Sequence, residues 1–251
     1  MRKDSSGWPV SAQWSGMERP LFTQGLGDFL SVRPVGFAPR WILTDMADGK
    51  HGQVEEVTAK PGDVQFTETG HTLVYKQSLT HPRLKRGTRT LEIWKSEPRV
   101  RLTITINRLS SNDPESYYVS FPLPVGGVLP RMSEGGMPFT PYQDQLPGSC
   151  RDYFAIDGWV KYETTEGQWL WVSRDTALVT FHHPEIWGRR TTPAPADRLL
   201  AEIFNNFWYT NFVANENGAM EFQFDLLWKP SIPDPQALAD TVVSTPVVVQ
   251  K

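Results

Sequence analysis

The chain has 251 residues, a net charge of −3 and a hydrophobic fraction of 39%; its ten Trp and thirteen Phe bring enough apolar area for a large core, which argues against disorder. It has no basic block, so it lacks the concentrated positive face that nucleic acid or an anionic membrane surface requires. A lone Cys150 excludes an internal disulfide, no apolar run follows the basic residues at the N-terminus, and no segment approaches the roughly 20 apolar residues of a spanning helix. These features predict a cytoplasmic protein with no signal peptide, no membrane partner and no nucleic-acid partner.

Residues 1–20 read as a lead-in segment, punctuated by Gly7, Pro9, Gly16 and Pro20, with Trp8 and Trp14 as anchors. Short extended runs follow at 28–35 and 40–44, separated by Gly36 and Pro39. Four strands are expected at 64–69, 72–79, 88–94 and 99–108. The last is the clearest. Val100, Leu102, Ile104 and Ile106 share one face, while Arg99, Arg101, Thr103, Thr105 and Asn107 share the other. Residues 117–123 alternate in the same way. The segment 122–147 is long, irregular and rich in Gly and Pro, which predicts a functional or covering loop. Strand character returns at 153–162, 168–173 and 177–181, with a polar, Pro-rich loop at 182–196, and 199–204 fits strand or helix, strand being favoured because the segment 205–228 follows it at once.

Residues 205–228 read as a core hairpin, made of an aromatic arm with three Asn, a turn at 214–218 and a strand at 220–228. On that strand Met220, Phe222, Phe224, Leu226 and Trp228 face one way, and Glu221, Gln223 and Asp225 the other. Residues 235–243 predict a short helix within a C-terminal tail at 230–251, and 247–249 a final edge strand. Many short strands with almost no helix predict an all-β fold: a large antiparallel β-sandwich (a supersandwich) with at most one or two short helices, as a single domain over 1–251.

The sequence has no Gly-rich phosphate loop, no Cys/His metal pattern and no nucleophile elbow. His182, His183 and Glu185 cluster, but neighbours on an extended chain point apart, so a solvated loop is the better reading. Glycoside hydrolysis needs two carboxyl groups held across a cleft. Asp152, Asp157, Glu163, Glu202, Glu221 and Asp225 all lie in or near strands, and no spacing singles out a pair. Sugar binding uses aromatic faces beside planar polar groups. Asn205, Asn206, Trp208, Tyr209 and Asn211 offer both, as do Arg151, Asp152, Tyr153 and Trp159. The competing reading, that the aromatics are core and the Asn side chains satisfy backbone groups, is the one residue types alone favour. The row Glu221, Gln223, Asp225 is a solvated face if it lies on a convex surface, and a site if it lines a concavity with Arg151 or Trp159.

The run Leu146-Pro147-Gly148-Ser149-Cys150-Arg151-Asp152-Tyr153-Phe154, then Asp157-Gly158-Trp159-Val160, resembles the C-terminal β region of glycoside hydrolase family 38, the α-mannosidase type. So does Asn205-Asn206-Phe207-Trp208-Tyr209-Thr210-Asn211-Phe212 with Gly218 and Phe222-Gln223-Phe224. The runs 97–108 and 118–122 fit the same region, so the resemblance covers about 90–228. It implies a galactose-mutarotase-like supersandwich placed after a catalytic α/β barrel. In that family the zinc site and the nucleophile lie in the barrel, which nothing here matches. The resemblance therefore implies no catalytic residue, no metal ligand and no cofactor in this chain. It implies a non-catalytic, carbohydrate-associated sandwich that supports a barrel domain or subunit and lines the cleft for a mannose-containing glycan. The candidate carbohydrate contacts are Arg151, Asp152, Trp159, Asn205, Trp208, Asn211, Glu221 and Asp225. Two alternatives remain open: a mutarotase-like or glycosidase active site within the sandwich, and a ligand-free interaction module.

Overall fold

The computed structural model describes residues 1–35, 53–184, 190, 192–206 and 215–244. Among these, two-residue alternation dominates and the chain folds as strands. In chain order they are β1 (Arg2–Lys3), β2 (Pro9–Ser11), β3 (Asp28–Val35), β4 (Gln53–Thr58), β5 (Lys60–Glu68), β6 (Thr72–Thr80), β7 (Leu84–Trp94), β8 (Arg99–Arg108) and β9 (Ser116–Pro122). There follow β10 (Arg131–Glu134), β11 (Met137–Phe139), β12 (Phe154–Ala155), β13 (Trp159–Thr164), β14 (Gly167–Ser173), β15 (Leu178–Phe181), β16 (Arg198–Asn205), β17 (Gly218–Lys229) and one helix, α1 (Pro235–Val243).

The strands build a nine-stranded sheet in the order β11-β10-β13-β14-β17-β8-β7-β6-β5 and a six-stranded sheet in the order β12-β15-β16-β9-β3-β4, with β1 and β2 paired apart. Pairing between neighbours is antiparallel throughout. β17 sits in the middle of the larger sheet, bonded to β8 on one side and β14 on the other. The fold is an all-β sandwich.

The dry faces predicted for β8 and β17 meet in the core. Val100, Leu102, Ile104 and Ile106 are buried there beside Phe222, Phe224, Leu226 and Trp228. Phe121, from the six-stranded sheet, sets its ring edge against Trp171 and Phe224 of the other sheet, at centroid distances of 5.4 and 5.0 Å. Trp171 and Phe224 stack at 5.6 Å. Such aromatic pairs add to the area that burial already contributes. Trp8 is fully buried and Trp14 donates its indole N–H to the Trp94 carbonyl at 2.8 Å, so both anchor the lead-in segment. The β13–β14 turn needs Gly167: φ is +130°, and a Cβ there would lie 2.5 Å from the Trp228 indole.

α1 begins at Asp234, whose side chain accepts from the Ala237 N–H, with Pro235 in the first turn. It covers the outer face of the nine-stranded sheet, where Trp159, Leu170, Val172, Leu227 and Ile232 pack against Ala239 and Val242. No described helix is long and apolar enough to cross a membrane.

Several expectations change. The first arm of the expected hairpin at 205–228 lies largely outside the described residues; its second arm is β17 in the nine-stranded sheet, whereas β16, which ends at Asn205, lies in the six-stranded sheet. The segment 122–147 is not wholly irregular, because it carries the β10–β11 hairpin. The expected strand 153–162 breaks at Gly158, with φ +99°, into β12 and β13, one in each sheet. The strands expected at 40–44 and 247–249 lie outside the described residues.

Candidate functional site

The polar row on β17 splits into three environments. Glu221 is exposed and accepts from the Thr105 hydroxyl at 3.2 Å. Gln223 is half-buried. Asp225 is buried between Arg99 and Arg101, accepting from both guanidinium groups at 3.0–3.3 Å. The cause is register, since Asp225 stands opposite Arg101 on β8 and Arg99 lies two residues along the same face. The Arg99 guanidinium also stacks over Trp94, 4.4 Å from the ring centre. Asp225 thus works as an internal ion-pair partner, with no side-chain surface left for a ligand. Trp159 is withdrawn as well. It is 2% exposed under α1, and its indole N–H donates to Gln236 at 2.8 Å. The row lines no concavity with Trp159, because α1 fills the space above that ring.

The remaining described candidates fall elsewhere. Arg151 is half-buried in the loop before β12. Asp152, beside it, is buried; it accepts the Arg190 backbone N–H at 2.9 Å, and its own carbonyl accepts from the Thr180 hydroxyl. Asn205 ends β16. Trp208 and Asn211 lie outside the described residues.

Asp152, Tyr153 and Asn205 nevertheless gather on one surface, the outer face of the six-stranded sheet. Leu199, Ala201 and Ile203 of β16 point into the core, so Leu200 and Glu202 point outward. Glu202 is paired in register with Tyr118 of β9. A β-bulge between Glu202 and Phe204 then shifts the alternation and brings Asn205 onto the Glu202 side. Its amide donates to Glu202 Oε1 at 2.7 Å. Glu202 Oε2 is buried and has no hydrogen-bond partner. Burial pushes the Glu202 carboxyl up to about 7, against the smaller opposing pull of the Asn205 amide. Beside it, the Tyr118 hydroxyl is bonded to Ser116 Oγ and to the Tyr153 hydroxyl, each at 2.8 Å. Burial raises the pKa of both tyrosines, so both hydroxyls keep their protons near neutrality. Leu30, Val32 and Leu200 form the apolar floor of this cluster.

A different buried network ties the two sheets together where the chain crosses. Glu115 accepts from Arg108 at 2.7 Å, from the Tyr117 hydroxyl at 2.7 Å and from Arg83 at 2.9 Å. Asn206 accepts the Glu115 backbone N–H at 2.6 Å, and Arg108 also donates to the Glu216 carbonyl. This network fastens both ends of the β16–β17 connection, and full pairing gives it a structural role. A cavity of about 640 Å³ opens beside the end of α1, lined by Asp157, Ser173, Arg174 and Asp175 among others. None of the described contact candidates lines it. His182 and His183 are exposed and stack edge to face at 4.9 Å. Among the described residues, no group of three or more His, Cys, Asp or Glu is placed to hold a metal ion.

Glu202 is the residue that reasoning from sequence left among six equivalent carboxylates. Its signal was a lone acid inside an apolar strand, Leu199-Leu200-Ala201-Glu202-Ile203-Phe204. The bulge that adds Asn205 leaves no such trace.

With this geometry in hand, the chain can be set beside known structures. An α-mannosidase from Enterococcus faecalis V583 superposes on 82% of this chain with a TM-score of 0.57 at 10% identity. The fold is shared with family 38 α-mannosidases. A second structure from Enterococcus faecalis, described as a protein in glycosyl hydrolase family 38, superposes over the same share with a TM-score of 0.55 and 10% identity. The chain spans 26% of the length of each of these two proteins. A galactose mutarotase related enzyme from Lactobacillus acidophilus also aligns, over 67% of this chain and 71% of its own, but its TM-score of 0.33 at 9% identity carries no weight. No protein-family model matches the chain, and no curated protein matches it in sequence.

Proposed function

We propose that this chain is the non-catalytic β-sandwich of a glycoside hydrolase family 38-like α-mannosidase, supporting a catalytic barrel and lining part of its glycan cleft. The observation that supports this reading is the fold: 82% of the chain superposes on a region that is about a quarter of an α-mannosidase chain. The motif runs at 146–160 and 205–228 point the same way. In this reading the barrel is the partner and carries the zinc and the nucleophile, and the shared ligand is a mannose-containing glycan. The exposed free thiol of Cys150 fits a reducing, cytoplasmic compartment.

The test is direct. The barrel polypeptide encoded in frame or beside this chain is produced separately and mixed with it. Hydrolysis of p-nitrophenyl α-mannoside and co-elution are then measured. The expected result is an inert chain that co-elutes with the barrel. Hydrolysis by the chain alone, or a neighbouring coding sequence without a barrel, would overturn the reading. A second reading, an active site within the sandwich, draws on the buried acid Glu202. General acid–base chemistry also needs a base on the same surface. This reading requires turnover by the chain alone that is lost in Glu202→Gln.

A further inference from the structure

The cavity of about 640 Å³ beside the end of α1 has the size of a small-molecule site, roughly 300–1,000 Å³. It lies where the chain twice passes between the sheets, at 156–158 between β12 and β13 and at 174–177 between β14 and β15. Its wall is open to solvent. Asp157, Asp175 and Ala177 are exposed, and Arg174 and Val243 are half-buried.

The two passages are fastened to each other and to their surroundings. The Ile156 N–H donates to the Ala177 carbonyl at 2.9 Å, and the Ser173 N–H to the Gly158 carbonyl at 2.8 Å. β17 holds the second passage. The Gln223 carbonyl accepts the Arg174 N–H at 3.2 Å, and the Gln223 N–H donates to Asp175 Oδ2 at 2.7 Å. Asp157 accepts from the Ser133 hydroxyl at 2.8 Å and from the N–H groups of Gly135 and Gly136 at 3.1 and 2.8 Å. A wall fixed in this way has little ordering left to undergo when a ligand binds.

The polar groups of this wall are incompletely used. Arg174 Nη2 donates to the Val242 carbonyl at 2.9 Å and so caps α1. Arg174 Nε is buried without a partner, and the solvent-reached Nη1 has none among the described residues. Asp175 Oδ1 is likewise unmatched among them. A guanidinium and two carboxylates line one cavity, yet Arg174 makes no ion pair with Asp157 or Asp175. Opposite charges held apart across a cavity leave room for a group that accepts from one and donates to the other.

We propose that Arg174 and Asp175 form a binding site for a neutral ligand carrying neighbouring hydroxyls, a carbohydrate, in the cavity beside α1. One ligand hydroxyl accepts from Arg174 Nη1, and a neighbouring one donates to Asp175 Oδ1. Ala177 and Val243 take the C–H face of the ring. An anion is disfavoured, because two carboxylates of the wall oppose one guanidinium. A zwitterion satisfies both ends only by exchanging its hydration for ion pairs open to solvent, which contribute little. The choice of glycosides as probes rests on the proposed role beside an α-mannosidase barrel, whereas the hydroxyl chemistry rests on the cavity alone.

The experiment is an amide NMR titration of the isotope-labelled full chain with methyl α-D-mannoside, methyl α-D-glucoside, glycine and sodium acetate, each up to about 20 mM. At least one glycoside should shift the amides of Gly158, Arg174, Asp175 and Ala177 saturably. Arg174→Gln removes the guanidinium. Asp175→Asn removes the carboxylate charge, keeps an oxygen for the Gln223 N–H and leaves the α1 cap untouched. Each variant should weaken binding by about 10-fold. Saturable shifts with the glucoside alone would support this site while counting against the mannosidase role, so the two proposals fail separately. The site is overturned if neither glycoside shifts these amides, if both variants bind as the parent does, or if glycine or acetate alone shifts them.

Discussion

Replacing Glu202 with Gln should make the protein more stable at neutral and alkaline pH, and the size of the gain follows from burial. In the unfolded chain the carboxyl ionises near 4.5, and in the folded chain at about 7. Between these values the native state keeps a proton that the unfolded state has released. Stability therefore falls as pH rises from 4.5 to 7 and levels off above 7. At about 1.4 kcal/mol per pH unit, the full loss is about 3 kcal/mol. The Gln amide does not titrate, keeps an oxygen for Asn205 to donate to, and places an uncharged group where Oε2 lacks a partner. Urea unfolding followed by Trp fluorescence, in parent and variant at pH 5, 6, 7 and 8.5, isolates the effect because other groups cancel in the difference. The variant should gain little at pH 5 and about 3 kcal/mol at pH 8.5. A difference that stays level for Glu202→Gln across this range, or shrinks as pH rises, would refute the burial reasoning.

Glu115→Ala should cost about 3–5 kcal/mol in urea unfolding, because it strands the buried Arg108 without its carboxylate; a loss below about 1 kcal/mol would mean that Arg108 finds another partner. Trp159→Ala should cost about 3 kcal/mol and speed amide hydrogen exchange throughout α1 more than in β8, since that ring is the seat of the helix. Gly167→Ala should destabilise by more than about 1 kcal/mol, from the positive φ and the overlap with Trp228 together; an unchanged thermal midpoint would show that the turn relaxes freely.

The strands were legible because their faces differ so sharply. Val100 to Ile106 alternates without a break and Phe222 to Leu226 does the same, and the apolar faces appear where the pattern put them. Partnership was not legible. β16 and β17 belong to opposite sheets, and nothing local records which sheet a strand joins. The polar row on β17 misled for a related reason. Alternation places Asp225 on the outer face, but only the register with β8 reveals that two arginines await it. Trp159 is a similar case, since α1 arrives from 76 residues later to cover it. At the candidate site, Asp152, Tyr153 and Asn205 were visible as residue types suited to a sugar. Their convergence on Glu202 depends on sheet order and on one bulge, neither of which has a compositional signature.

The central position of β17 has a consequence for how the protein is made. Without it, the larger sheet is two separate four-stranded pieces, β11-β10-β13-β14 and β8-β7-β6-β5, with the edges of β14 and β8 bare. β17 is also the last strand described, ending at Lys229. During synthesis both pieces therefore wait with exposed hydrogen-bonding edges until β17 has emerged. A product truncated before Gly218 keeps those bare edges permanently, and such edges recruit strands from other chains.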